Sequence, residues 1–415
     1  MIEPPADSRA AFRYPDFRRY LLARLLTTLS SEMQSVAVGW QIYSITHRPL
    51  DLGLAGLAQF LPAVCLFLIT GHVSDRLPRK WILLACSLGF SVCSLSLLIF
   101  SLHQISTVYP IYAVLLINGT VRAFNAPAAQ SFLPLILPRS VFANGVTWNS
   151  SAFQVSTIAG PMVGGVLYGL TGSPHYVYAT AMLAYLGGAW ALSGVKPAAS
   201  EPSKNEDLGQ RVLGGLRYIW HNKLVLGALS LDLFAVLLGG AVALLPVYAR
   251  EILKVGAVGL GFMRSSPGLG ALLTSVIVAH WPLRRNAGLA MLWCVFAFGL
   301  ITVIFGLSRN PALSLVMLLL LGSADTISVI VRSTMIQLST PDAMRGRVSA
   351  VNMVFIGASN EVGQFESGVT AQWFGTVPAV VLGGVGTMAI VCLWAWLFKG
   401  LRTLDRLDAI KTEAT

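Results

Sequence analysis

Apolar residues run along this chain in long blocks, and short polar segments separate them. Twelve blocks read as spans, at about 19–45, 50–72, 81–102, 108–133, 143–169, 174–195, 223–249, 256–280, 287–307, 311–338, 347–372 and 378–399. A helix needs roughly 20 mostly apolar residues to cross the hydrocarbon core of a bilayer, so each block predicts a membrane-spanning helix. Blocks longer than about 25 residues fit tilted helices or helices that run past the bilayer. The longest polar stretch, Lys196 to Leu208, divides the spans six and six. After it, Leu213, Leu216 and Ile219 fall on one helical face, which predicts a surface helix leading into the seventh span. The pattern therefore predicts an all-α membrane protein with 12 transmembrane helices. Its expected parts are a first set of six at 1–195, a cytoplasmic linker with a surface helix at 196–222, a second set at 223–402 and a cytoplasmic tail at 403–415.

Composition agrees. Of 415 residues, 55% are hydrophobic and 11% charged, and the mean hydropathy is +0.69. Soluble domains average roughly 25% charged residues, so most of this length is not built to face water. The net charge of +11 raises the question of nucleic acid, and placement answers it. The basic residues cluster between apolar blocks, and no basic stripe is interleaved with aromatics, so no nucleic-acid partner is expected. Lys and Arg gather on the cytoplasmic side of membrane proteins. With the N-terminus inside, twenty-one of the 29 fall in cytoplasmic segments and four (Arg48, Arg250, Lys254, Arg309) on the opposite side. Both termini are thus expected in the cytoplasm. Met1 to Asp16 is polar and the next block is too long for a signal-peptide core, so no signal peptide is read there. The five cysteines all lie inside apolar blocks, where buried inert thiols are expected rather than disulfides or a metal site.

The two sets of spans repeat each other. At a constant offset of 203, Gly119 matches Gly322, Pro138 matches Pro341, Asn149 matches Asn352, Ser156 matches Ser359, Gly160 matches Gly363 and Gly165 matches Gly368. These identities relate spans four and five to spans ten and eleven. Similarly oriented six-span repeats are a device of alternating-access transporters.

Charge inside the spans carries the chemistry. A charged side chain at the bilayer centre costs about 2.5–3.5 kcal/mol even on lenient insertion scales, so such residues mark ion paths or internal pairs. Glu32, Asp232, Glu361 and Glu366 are the candidates for proton coupling, because a carboxyl in a partly dry setting can load and release a proton near neutral pH. Arg122 and Asp325 stand at repeat-equivalent positions, and Arg332 lies seven residues from Asp325 on the same face. These three are expected to pair charges, with Asp325 as the fixed partner of Arg122 or Arg332. Taking Ser31 as reference, Arg24, Thr28, Gln34 and Ser35 lie within about 80° of it on the helix of span one, with Glu32 at the edge. That arc, together with Asn352 and Ser359 on span eleven, predicts the lining of a water-filled path. Gly160 and Gly164, with Gly165 and Gly169, are small-residue pairs that permit close helix packing, and Pro161 bends span five.

The segment Gly71-His72-Val73-Ser74-Asp75-Arg76-Leu77-Pro78-Arg79-Lys80, between spans two and three, resembles the loop at that place in the major facilitator superfamily. It has the glycine, the Asp-Arg pair, a break and two basic residues; Pro78 replaces the glycine usual at the break. The resemblance implies a gating loop formed by Gly71, Asp75, Arg76, Arg79 and Lys80. In it Asp75 would meet the N-terminal end of span eleven and latch the halves when the transporter faces outward. Gly160-Pro161-Met162-Val163-Gly164-Gly165 resembles the end of a motif of the superfamily's antiporter branch, although Ser156 and Thr157 stand where its upstream glycines belong. Phe17 to Arg24, Gly215 to Ile219, Pro246 to Ala249 and Thr340 to Val348 resemble the branch that contains the bacterial enterobactin exporter, whose members are transmembrane secretion effectors. The resemblance covers almost the entire chain. It implies two six-helix bundles around a central cavity in the bacterial inner membrane. It also implies proton-driven export of a small, amphipathic molecule by antiport. An importer or facilitator of a small solute is the alternative within transport, and a membrane sensor or scaffold is the alternative outside it. Nothing in the chain reads as an enzyme, so no catalytic site and no cofactor are expected, and without a nucleotide-binding loop ATP is not the expected energy source. The expected partners are a small-molecule substrate, protons and membrane lipid, and the expected state is a monomer.

Overall fold

The computed structural model describes residues 8–198, 208–281 and 286–403, and they are helical almost throughout. The helices are α1 (Pro15–Thr46), α2 (Pro49–Cys65), α3 (Phe67–Arg76), α4 (Arg79–Leu102), α5 (Tyr109–Phe132), α6 (Phe142–Thr171), α7 (His175–Ser193), α8 (Leu208–His221), α9 (Lys223–Leu238), α10 (Leu245–Val247), α11 (Gly256–His280), α12 (Ala287–Leu307), α13 (Pro311–Ser339), α14 (Asp342–Phe374), α15 (Thr376–Leu397) and α16 (Lys399–Thr403). Among the described residues, seven helical stretches are long and apolar enough to cross a membrane by length and composition: Arg79–Leu102, Arg139–Thr171, Lys223–Ile252, Gly256–His280, Ala287–Leu307, Pro311–Ser339 and Thr376–Leu397. This is a multi-pass integral membrane protein of all-α fold. The expected twelve spans exceed that set by five, and for two of them polar residues are the reason. α1 and α14 have 32 and 33 residues, but Arg24, Glu32 and Gln34 in one and Asn352, Glu361 and Glu366 in the other dilute their apolar length.

Several expected boundaries move. The second block is two helices, because α2 contains Pro62 and breaks at Leu66. The expected gating loop is mostly helix: Gly71 and Arg76 belong to α3, which stops where Leu77 is extended ahead of Pro78. A residue before proline is pushed out of the helical region by the ring, which places the stop. The seventh span breaks after Leu238 at Gly239 and Gly240, then continues as a 3-10 turn, α10 and a π-turn at Tyr248–Ile252.

The described residues fall into two units: those within Met1–Thr46 and Ala58–Asn205, and those within His47–Leu57 and Glu206–Thr415. His47–Leu57 groups with the second unit rather than with the first six spans. The cause is close packing of the start of α2 on α14. The α-carbons of Gly53 and Phe365 leave no room for a side chain at 53, and a methyl at Gly368 would lie 3.0 Å from Gly53.

In the first unit, Phe17, Tyr20, Ile82, Phe90, Phe132 and Tyr185 anchor a buried core contributed by α1, α4, α5 and α7. The Tyr20 hydroxyl donates to the Ala129 carbonyl at 3.1 Å. In the second, one core joins α9, α12, α13 and α15 through Leu231, Met291, Val331 and Val391. A smaller one joins α8, α9 and α14 through Ile219, Leu229, Val348 and Val351. The face read for α8 divides: Ile219 is buried, whereas Leu213 and Leu216 are exposed beside Trp220. Gly215 accounts for this, because a methyl there would stand 2.5 Å from the Arg347 carbonyl, so α8 turns its glycine face to α14. Cys86 and Cys93 are buried free thiols, but Cys65 and Cys392 are exposed.

The sequence repeat has a counterpart in contacts within each unit. A methyl on Gly119 of α5 would lie 2.2 Å from the Gln59 carbonyl of α2, and one on Gly322 of α13 would lie 2.0 Å from the Pro267 carbonyl of α11. Likewise Gly160 of α6 presses on Leu29 and Glu32 of α1, and Gly363 of α14 presses on Val236 and Leu237 of α9. Residues 203 apart therefore hold equivalent helix crossings.

Candidate functional site

In the first unit the polar side chains gather where α1 crosses its neighbours. Gly160 permits the crossing of α1 and α6, since its Cβ would sit 2.5 Å from the Cβ of Glu32. One turn on, a methyl on Gly164 would lie 2.7 Å from the Met33 carbonyl. Pro161 and Gly165 are buried in the same helix. This packing fixes the height of Glu32 against α6. Tyr185 of α7, only 1% exposed, shares a hydrogen bond with Ser31, and the charges of Glu32 and Arg122 both bear on its hydroxyl. The structure thus brings together Ser31, Glu32, Arg122 and Tyr185 from α1, α5 and α7. Tyr185 was not among the expected residues. A tyrosine in an apolar span reads as packing or interface belt, and only the tertiary contact assigns its hydroxyl.

The polar arc of α1 does not act as one lining. Ser31 is exposed, but Thr28 and Gln34 are buried. The Ser94 hydroxyl of α4 donates to Gln34 Oε1, and the Tyr178 hydroxyl of α7 donates to Gln41 Oε1 at 2.6 Å. Ser35 bonds back to the Glu32 carbonyl at 2.8 Å. Gln34 and Thr28 therefore do not line an open path within this unit; a buried amide in a membrane bundle is held where a neighbouring helix satisfies it. Arg24 is half-buried, with its guanidinium 5.8 Å from the ring centre of Phe153 on α6.

The basic residues after α3 bind helix ends. Arg79 donates to the Ser131 carbonyl near the end of α5 at 3.0 Å, and Lys80 donates to the Ser193 carbonyl, the last residue of α7, at 2.8 Å. The last carbonyls of a helix lack intrahelical donors and carry partial negative charge, so cations suit them. Arg76 is exposed. The Asp75 side chain lies outside the described residues.

In the second unit Arg332 of α13 forms an ion pair with Asp232 of α9. Both are deeply buried, at 4% and 8% exposure. This reverses the expected assignment. The sequence expectation makes Asp232 a proton carrier and Asp325 the partner of an arginine, but Arg332 reaches across to α9 rather than along its own helix. Asp325 forms no ion pair or hydrogen bond among the described residues. Glu361 accepts a hydrogen bond from Gln364 at 3.3 Å, and the start of α2 covers it, with Gly56 close to both side chains. Glu366, one turn and a half further along, accepts from Thr370 at 2.7 Å. Ser359 is buried and bonds to its own helix at the Ile356 carbonyl. Asn352 has a buried Oδ1 with no hydrogen bond, and so does its repeat counterpart Asn149. Among the described residues no group of three or more His, Cys, Asp or Glu side chains has the arrangement of a metal site.

A family model described as transmembrane secretion effector matches residues 6–414. The enterobactin exporter EntS of Shigella boydii serotype 18 is 26% identical over 386 residues, which covers 90% of this chain and 86% of that protein. EntS of Escherichia coli O139:H28 has the same identity and coverage. Among solved structures, a D-xylose–proton symporter superposes with a TM-score of 0.70 at 13% identity, covering 96% of this chain and 99% of that one. The nucleoside transporter NupG gives 0.68 at 13% identity, covering 93% and 99%. At these identities the solved structures show a common fold.

Proposed function

Because this chain belongs to the transmembrane secretion effector family of the major facilitator transporters, which carry small solutes and are not enzymes, we propose that its transport is coupled to protons through Glu32, Glu361 and Asp325. Secondary transport of a small solute is the common ground of the family. The observation that carries the coupling is the division of the buried acids. Asp232 is neutralised by Arg332, whereas Asp325 has no charge partner among the described residues. Charge in a span is costly, and a lone carboxyl sheds that charge by binding a proton. Glu32, grouped with Ser31, Arg122 and Tyr185, and Glu361, bonded to Gln364, are held by groups that can follow a change of protonation. Asp232 leaves the coupling set and joins Arg332 as a structural pair. Glu366 is a weaker member, bonded locally to Thr370.

Direction has two readings. Efflux is favoured by the likeness to the enterobactin exporters and by Gly160-Pro161 with Gly164 and Gly165. Uptake or facilitated passage is favoured by Ser156 and Thr157, which stand where the antiporter motif has glycines; the same fold serves a D-xylose–proton symporter. We also read the chain as lying in the bacterial inner membrane with both termini cytoplasmic, on the split of its basic residues, and keep the latch role proposed for Asp75. The test is transport by sided proteoliposomes under an imposed pH gradient, with candidate solutes on one face. Accumulation driven by the gradient supports coupling, and its sign assigns the direction. Equal, gradient-independent fluxes would leave a facilitator.

A further inference from the structure

Arg24, in the first two turns of the α1 membrane segment, has no role beyond the path lining expected of it. Arg24 Nε is buried and makes no hydrogen bond, and no carboxylate pairs with Arg24 among the described residues. The nearest acids on its own helix are committed elsewhere. Asp16 pairs with Arg19. Glu32 is eight residues on, about 12 Å along the axis at 1.5 Å per residue, beside Tyr185. The Arg24 guanidinium lies 5.8 Å from the centre of the Phe153 ring, and that ring is 45% exposed. One turn earlier on the same face of α6, Asn149 has a buried Oδ1 with no partner. A cation and an open aromatic face thus meet within one unit where α1 and α6 pack, with an amide oxygen lacking a partner one helical turn away.

We infer that Arg24, Phe153 and Asn149 form a subsite for the anionic group of a flat, apolar substrate. The inference rests on the carrier reading above and adds the substrate's chemical class. A guanidinium presents a planar fork that matches a carboxylate in two hydrogen bonds. Phe153 offers a ring for offset or edge contact with an aromatic body. Asn149 can accept from a hydroxyl or donate to a ring oxygen. Burial of Nε strengthens recognition, because a displaced anion leaves an unsatisfied donor behind. The anion also removes the cost of an unpaired cation in the span.

The probe is 1-naphthoate, with 1-naphthamide as its neutral counterpart and inorganic phosphate as an anion without an apolar body. Binding is measured by equilibrium dialysis on the full chain in uncharged detergent at low salt. The expected result is saturable naphthoate binding, weakened at least tenfold by Arg24→Gln and partly restored in Arg24→Lys. Phe153→Ala should weaken it several-fold, and naphthamide and phosphate should compete poorly. Phe153→Ala lies on an exposed ring, so it reports on the subsite even where an Arg24 variant fails to fold. Absence of saturable naphthoate binding, an unchanged affinity in both Arg24→Gln and Phe153→Ala, or equal binding of naphthamide overturns the subsite. Naphthoate counterflow in proteoliposomes separates the two claims. Binding lost in Arg24→Gln without any counterflow upholds the subsite and contradicts the carrier reading. Counterflow that Arg24→Gln leaves unchanged contradicts the subsite alone.

Discussion

The Asp232–Arg332 pair gives the sharpest energetic test. Its two members sit on different helices, α9 and α13, and at 8% and 4% exposure neither can turn to water. Asp232→Asn removes one charge and strands the other. Breaking a buried pair in this way costs about 3–5 kcal/mol, because the remaining ion is uncompensated. Removing both charges is different: Asp232→Leu with Arg332→Met replaces the pair by apolar groups of similar size, and such exchanges are often neutral or stabilising. The single variants should therefore each lose about 3–5 kcal/mol and the double variant should lose far less, giving a coupling energy of about 3 kcal/mol or more. At roughly 2–4 °C per kcal/mol for 150–250 residues, each single variant should melt at least about 6 °C lower. The assay is thermal unfolding of purified protein in detergent, followed by size-exclusion monodispersity, for wild type, both single variants and the double. Single variants that melt with the wild type would refute the structural pair. A double variant no more stable than the singles would show that the two charges do not act on each other.

Other predictions follow from contacts of the same kind. Asp325→Asn should leave the melting temperature within about 1 °C of wild type, since no pair is lost, yet abolish proton-driven accumulation; a large loss of stability would show a hidden partner. Gly160→Ala should destabilise by about 1–3 kcal/mol, because its methyl meets Glu32 at 2.5 Å. Gly357→Ala on α14, with open space around it, should instead gain up to about 1 kcal/mol from helix propensity, both read by melting in detergent. A cysteine at the exposed Trp220 of α8 should react with an impermeant maleimide only when the cytoplasmic face is open; labelling from outside intact cells would overturn the orientation.

The sequence announced the helices of this protein better than their partners. Period and apolar length placed α4, α11 and α12 nearly to the residue, because a span must satisfy its backbone internally and its boundaries are set by polar residues. It failed at Gly239–Gly240, at Leu66 and at Gly71–Arg76, where the tertiary crossing or a proline decides whether the helix continues. The offset of 203 was legible and has physical content, since Gly119 and Gly322, and Gly160 and Gly363, make equivalent contacts. Charge pairing was not legible. A helical wheel relates Arg332 to Asp325 on one helix, but it holds no information on which neighbour faces it, and α9 supplied Asp232. The arc of α1 misled for the same reason: polarity marks residues that avoid lipid, and both an open path and a hydrogen bond to α4 or α7 satisfy that condition.

Internal pH measures proton coupling directly. The protein is reconstituted in vesicles loaded with a pH-sensitive dye, a solute that shows counterflow is added, and proton movement is recorded beside solute flux. Solute-dependent proton movement that disappears in Glu32→Gln, Glu361→Gln or Asp325→Asn, while counterflow persists, is the predicted result. Solute flux with no accompanying proton movement in the wild type would contradict it.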